Sequence, residues 1–226
     1  MANLLFVHGA SANEKSWFDV PAAFKDDHVV ENVQLAGHDK PPQSLPDTSI
    51  RMSDYLASID AAMDGRDDWI LIGHSMGGMV ISQFAADHPD RVAKLIYVSA
   101  ILPREGQTVS TLLDITTPEA FIRFLARVAG EFANHNDPRI PGARSAQPPT
   151  PLNEGFRSSS GFEDIPRYYI HCDGDGVVLP DQQKDMVDEA PGGPMATTTE
   201  HLDSDHFSQL SVPSELVTSL TRAINA

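Results

Sequence analysis

The sequence predicts an α/β fold, a doubly wound, mostly parallel sheet of about six strands carrying a small helical insertion. Three observations carry that prediction. Short apolar runs alternate with helical patterns along most of the chain, which calls for a sheet buried on both faces. The run Trp69-Ile70-Leu71-Ile72 leads directly into Gly73-His74-Ser75-Met76-Gly77-Gly78 and then into the apolar stretch Met79 to Ala86, a strand, a tight turn and a buried helix in succession. Between Ile101 and about Asp164 the composition shifts to Pro, Ser, Asn and Gly, after which the alternation resumes. The body is therefore expected in 1-100 and 165-226, and a cap or lid in 101-164.

In chain order, Leu4 to Val7 reads as the first strand, ending at the small-residue turn His8-Gly9-Ala10. Ser16 to Phe24 reads as a short helix and His28 to Val33 as the second strand. A proline-bearing loop, 35–47, precedes a helix from Ser53 to Met63. Met52, Leu56, Ile59 and Met63 share one of its faces, and Ser53 is the expected N-cap. The fourth strand is Leu95 to Ser99. Inside the insertion, Phe121, Phe124, Leu125 and Val128 fall at i, i+3, i+4 and i+7, and Thr117-Pro118-Glu119 starts that helix with proline at its first position. Arg167 to Cys172 is the fifth strand, Gln182 to Glu189 a helix, Met195 to Glu200 the last strand, and Pro213 to Asn225 the closing helix.

Composition narrows the function. With 226 residues and 41% hydrophobic content the chain can bury one substantial core. The net charge of −16 opposes binding to nucleic acid or to an anionic membrane surface. No run of apolar residues is long enough to cross a bilayer. The start Met1-Ala2-Asn3 passes straight into the first strand and lacks a basic, signal-like region. A single cysteine, Cys172, excludes an internal disulfide and fits a reducing compartment, so a cytoplasmic location is expected. Phosphate-loop, dinucleotide and zinc-binding motifs are missing, and no histidine pair has metal-ligand spacing on a supporting element. No cofactor and no metal are expected.

The G-x-S-x-G turn is where chemistry is expected. A serine on a sharp strand-to-helix turn has its hydroxyl exposed above the sheet, and the following helix points its N-terminal N–H groups at the same spot. Serine alone is a weak nucleophile at neutral pH and needs a base, which in turn needs an orienting acid. In doubly wound sheets such groups gather at the carboxyl ends of the strands. The fourth strand ends Ser99-Ala100-Ile101 without a carboxylate. The fifth ends in a loop with both Asp173 and Asp175, and the last leads to Ser204-Asp205-His206. Of nine histidines, only His206 follows the last strand in a loop beside an acidic residue. His74 lies within the turn and is expected to point away from the site. His201 lies too early, and His28, His38, His88 and His135 read as surface residues.

These segments resemble the α/β-hydrolase superfamily, in particular the branch of plant methylesterases, hydroxynitrile lyases and small bacterial carboxylesterases. The resemblance rests on His8-Gly9-Ala10 with Trp17, on Gly73 to Gly78, on Ile165 to Ile170 continuing through Asp175 to Pro180 and Gln183, and on Ser204-Asp205-His206 with Pro213 and Leu216. It spans nearly the whole chain and weakens in the insertion. It implies an α/β-hydrolase fold with Ser75 as nucleophile, His206 as base and Asp175 as acid, because the family's acid stands a few residues before a proline, as Asp175 stands before Pro180. Asp173 is the rival acid. The resemblance also implies backbone oxyanion donors at Ala10 and Met76.

The expected activity is hydrolysis of small, largely apolar carboxylic esters through an acyl-enzyme, with a small-molecule ester as the only implied partner. The lyases resembling this chain carry a lysine after the catalytic histidine and a threonine after the first strand's histidine, where this sequence has Phe207 and Gly9. Lyase chemistry, lactone hydrolysis and a non-catalytic ligand-binding role are the alternatives. A homodimer stays open.

Overall fold

The structure is a computed structural model that describes residues 1–190 and 196–226. Among those residues six strands form one parallel sheet: β1 (Asn3–Val7), β2 (Val29–Val33), β3 (Trp69–His74), β4 (Val92–Val98), β5 (Arg167–Cys172) and β6 (Thr197–Leu202). Their order is β2-β1-β3-β4-β5-β6. The principal helices are α1 (Met52–Met63), α2 (Gly77–Asp87), α3 (Val109–Leu112), α4 (Pro118–Ala133), α5 (Ile140–Ala143), α6 (Ser160–Glu163), α7 (Pro180–Asp188), α8 (Ser208–Ser211) and α9 (Pro213–Asn225).

Alternate side chains of each strand enter opposite faces of the sheet. Leu5, Val7, Leu71, Leu95, Tyr97 and Tyr169 join a core with Tyr55 and Ile59 of α1, Phe84 of α2 and Met186 of α7. Leu4, Phe6, Ile70, Ile72, Ile96, Val98 and Ile170 join a second core with Trp17, Phe24 and, from α9, Leu216 and Leu220. Both faces are covered, which is why the central strands are apolar throughout rather than alternating with polar residues. The chain leaves β1 toward β2 on one side and returns through α1 to place β3 on the other. The direction of winding therefore reverses between β1 and β3, and a crevice opens beyond their carboxyl ends.

Several boundaries differ from the sequence expectation. The region after β1 is not one helix but two 3₁₀ turns, Glu14–Trp17 and Val20–Phe24, separated by Phe18 in a left-handed conformation at φ 50°. Ser53 is not the cap of α1. The helix starts at Met52, where Asp54 accepts the Arg51 N–H at 2.8 Å and Glu154 of the insertion accepts the Met52 N–H at 3.0 Å, so two carboxylates do the capping. α7 starts two residues early because Pro180 fits the first turn, where no N–H is needed. The last strand runs to Leu202 rather than Glu200. Its expected first residue, Met195, lies outside the described residues.

α2 packs against the end of β1 closely enough that only hydrogen fits at Gly77. A Cβ there would stand 2.6 Å from the Val7 carbonyl oxygen and 2.8 Å from that of His8. Both obstacles are backbone and cannot rotate aside. Gly77→Ala is expected to lower the unfolding free energy by about 1–3 kcal/mol in a urea titration. An unchanged midpoint would contradict the close approach of α2 to β1.

Candidate active site

Ser75 follows the last residue of β3 and precedes α2. Its φ is 54°, a left-handed value that costs a non-glycine residue about 1–3 kcal/mol and that surrounding contacts must enforce. Here the enforcement is visible. The Ser75 carbonyl accepts the Gly78 N–H at 3.1 Å and the Ile101 N–H at 2.9 Å. A Cβ on Gly73 would stand 2.8 Å from the Gly77 carbonyl carbon, and one on Gly78 2.4 Å from the Ile101 carbonyl oxygen. Gly9, after β1, passes so close that a Cβ there would be 2.7 Å from Ser75 Cβ. The loops after β1, β3 and β4 thus converge on one serine.

Asp175 is delivered by the turn after β5. Its Oδ1 accepts the Val177 N–H at 2.6 Å and the Val178 N–H at 2.9 Å, while its Oδ2 lies 2.7 Å from His206 Nδ1 and also accepts the Ser99 hydroxyl. Burial alone would raise the Asp175 pKa. The adjacent His206, the Ser99 hydroxyl and the Val177 N–H outweigh it, and the carboxyl stays below the usual aspartate value. The structure therefore brings Asp175, not Asp173, to His206. Asp173 is half exposed and meets His201 Nδ1 at 2.8 Å. Asp205 performs turn chemistry, its Oδ1 accepting the Phe207 N–H at 3.0 Å.

His206 is fixed from behind by His74. The His74 Nε2–H donates to the His206 carbonyl at 2.8 Å, and the two rings lie 4.6 Å apart. His74, within the turn, is thereby joined to His206 by both a hydrogen bond and a ring contact. His38 departs from its expected surface position. It is buried, with Nδ1 at 2.8 Å from the Ala12 carbonyl and Nε2 at 2.8 Å from the Tyr55 hydroxyl. Ala10 and Met76 are both buried at the crevice, and neither N–H has a hydrogen-bond partner among the described residues.

The insertion covers this edge. Phe132 of α4 stacks on Phe207 with ring centres 3.8 Å apart, and Glu131 sits against Gly176 beside Asp175. Ser75, Asp175 and His206 are 2%, 3% and 1% exposed. Of the aromatic residues expected in the insertion, Phe124 and Phe132 pack into the main core, and Phe121 is partly buried against it. Among the described residues no cluster of three or more metal-ligating side chains is present, and no helix is long and apolar enough to cross a membrane.

The fold is that of hydrolases built on a doubly wound parallel sheet. The family model described as "Alpha/beta hydrolase family" matches residues 4–219, and the chain belongs to that family. A pyrethroid hydrolase of Sphingobium wenxiniae is 29% identical over 245 residues, covering 96% of this chain and 85% of that protein. Methylesterase 7 of Arabidopsis thaliana is 25% identical, covering 94% of this chain and 92% of its own length. The crystal structure of a pyrethroid hydrolase from Sphingobium faniae superposes with a TM-score of 0.82 at 27% identity, covering 100% of this chain and 98% of that one.

Three histidines beneath the site are held neutral by burial. His8 is lowered to about 4 and His74 to about 3, and His38 lies well below its ordinary value of 6.5 through burial and the neighbouring His8. In the unfolded chain each takes up a proton near pH 6.5, whereas in the fold it does not. The unfolded state then binds more protons on acidification, so stability falls as pH drops from about 6.5 toward 4. Each histidine contributes about 1.4 kcal/mol per pH unit within that window. Thermal denaturation between pH 4.5 and 7 is expected to show a midpoint rising with pH. A flat profile would mean that these rings protonate in the folded protein.

Proposed function

We propose that this protein is a serine hydrolase that cleaves carboxylic esters of small, largely apolar substrates through an acyl-enzyme. The observation that carries the reading is the buried pair of His206 Nδ1 and Asp175 Oδ2 at 2.7 Å, locked by His74 to the strained turn that holds Ser75. Ser75 attacks the ester carbonyl as His206 accepts its proton at Nε2. Asp175 keeps the ring in the tautomer with hydrogen on Nδ1 and stabilises the imidazolium. The N–H groups of Ala10 and Met76 receive the oxyanion. His206 then returns the proton to the leaving alcohol, and water repeats the sequence on the acyl-enzyme.

The apolar character of the substrate follows from the walls. Phe207 lies against the His206 ring at 5.1 Å and Phe132 stacks on Phe207 at 3.8 Å, and both belong with Ala10 and Met76 to the main apolar cluster. This reading favours small aryl and alkyl esters and lactones, and it is supported by the resemblance to proteins named pyrethroid hydrolases. Residues 101–164 cover this edge, Phe132 stacking on Phe207 beside His206, and that segment serves as a lid over the site.

The test is hydrolysis of p-nitrophenyl acetate and butyrate. Ser75→Ala is expected to cut kcat by roughly 10⁶ and Asp175→Asn by roughly 10⁴, whereas Asp173→Asn leaves it unchanged. If the Asp173 variant fails and the Asp175 variant does not, the acid has been misassigned. If Ser75→Ala keeps the parent rate, the nucleophile is wrong. A parent inactive on both esters but active on mandelonitrile would replace hydrolysis with lyase chemistry.

A further inference from the structure

We infer that Gln147 is a positioning residue for the oxyanion hole, holding both of its backbone donors in register; the inference rests on Ser75 as nucleophile and on Ala10 and Met76 as the donors. Gln147 comes from the insertion, not from the sheet edge, and is buried at 5% exposure. Its Oε1 accepts the N–H of Ser11 at 2.9 Å, the residue after Ala10. Its Nε2 donates to the Pro148 carbonyl at 2.7 Å, reaches the Tyr55 hydroxyl at 3.4 Å and lies 3.7 Å from Met76 Sδ. One amide group therefore touches the loop that offers one donor and the residue that offers the other.

The hydrogen bonds close into a ring on the first of these loops. From Gln147 Nε2 the path runs to Tyr55, whose hydroxyl donates to His38 Nε2 at 2.8 Å, and from His38 Nδ1–H to the Ala12 carbonyl at 2.8 Å. Beside it, the Ser145 N–H donates to the Ser11 carbonyl at 3.0 Å and the Ser145 hydroxyl to the Ala12 carbonyl at 2.7 Å. Ser11 itself is left-handed at φ 57°, a conformation that serine holds only when the surroundings impose it. The only side chain bonded to the Ser11 N–H among the described residues is Gln147. Without that acceptor the N–H is buried and unsatisfied, and the loop relaxes toward ordinary backbone angles. The Ala10 N–H one residue earlier then turns away from the oxyanion. Since hole donors act only at their fixed positions, the loss falls on the transition state rather than on substrate binding.

The experiment compares Gln147→Leu and Gln147→Glu with the parent and with Ser75→Ala, using p-nitrophenyl butyrate and a fluorophosphonate that titrates reactive Ser75. Leucine removes the acceptor. Glutamate keeps the volume and the acceptor but loses the Nε2 donor and sets a negative charge near the hole. For both, kcat per titrated site is expected to fall about tenfold or more, short of the roughly 10²–10³ seen when a donor is deleted outright, with KM within about threefold of the parent. A Gln147→Leu protein that folds and keeps kcat per site within twofold overturns the inference, whereas a Gln147→Glu protein that keeps it supports the Ser11 acceptor as the part that matters. A loss of activity matched by an equal loss of titratable sites also overturns it, since Gln147 would then serve only stability. The Ser75→Ala control separates the two readings: if it retains activity, the nucleophile assignment fails, whereas a dead Ser75→Ala beside unaffected Gln147 variants removes Gln147 alone.

Discussion

The left-handed turn at Ser75 is the constraint on which the rest of the site depends. No serine adopts φ 54° unprompted, so the cost must be met by neighbours that leave no alternative. Here they are backbone atoms from three strand ends. Gly9 from the end of β1 lies against Ser75, Gly77 presses on the carbonyls of Val7 and His8, and Gly78 presses on Ile101 beyond β4. This closeness also explains the sheet order. Placing β3 beside β1, with β2 on the far side, is what lets the loop after β1 meet the turn after β3.

A second constraint is the polar accounting beneath the turn. The site buries a carboxylate and four imidazoles, those of His8, His38, His74 and His206, a set that would be ruinous if several were charged. Each is given a partner that suits a neutral ring or a paired ion. His8 accepts the Leu35 N–H at 3.2 Å, His38 sits between Ala12 and Tyr55, and His74 holds the His206 carbonyl. Asp175 alone carries buried negative charge, and it is ringed by two backbone N–H groups, a serine hydroxyl and His206. The fixed negative charge thus lies where the proposed mechanism forms an imidazolium, and the uncharged rings keep competing positive charge away from it.

The sequence made the sheet legible because its strands are buried on both faces and so appear as unbroken apolar runs. The turn at Ser75 was legible because backbone crowding demands small residues at fixed offsets. His206 was legible from its place after the last strand. What could not be read were contacts made across the chain. The spacing to Pro180 favoured Asp175 over Asp173, but only the tertiary approach of β5 and β6 turns one carboxylate inward and leaves the other on the surface with His201. His38 reads as a loop histidine because nothing local signals burial; Ser145 meets it from more than a hundred positions away, and Tyr55 and His8 pack on its other sides. Gln147 lay in a stretch whose composition suggested a loose cap. The cap of α1 was missed for the same reason, since its carboxylate, Glu154, also comes from the insertion.

The insertion is therefore two things joined in one segment. Residues 143–148 are fastened to the loop after β1 by the Asn13 N–H to the Ala143 carbonyl at 3.1 Å, by an antiparallel bridge between Ala12 and Arg144, and by the Ser145 and Gln147 bonds. α4 is buried along one face through Phe124, Val128 and Phe132, and its last turn meets the loop that carries His206. Phe132 stacks on Phe207, Arg144 lies over Phe132 at 5.7 Å, and His135 Nε2 is 2.8 Å from an Asp205 carboxylate oxygen, all near the base. Toward its start the helix turns Ile122 outward at 66% exposure and keeps Phe121 only partly buried. Local stability follows buried contact, so the start of α4 opens at lower cost than its end.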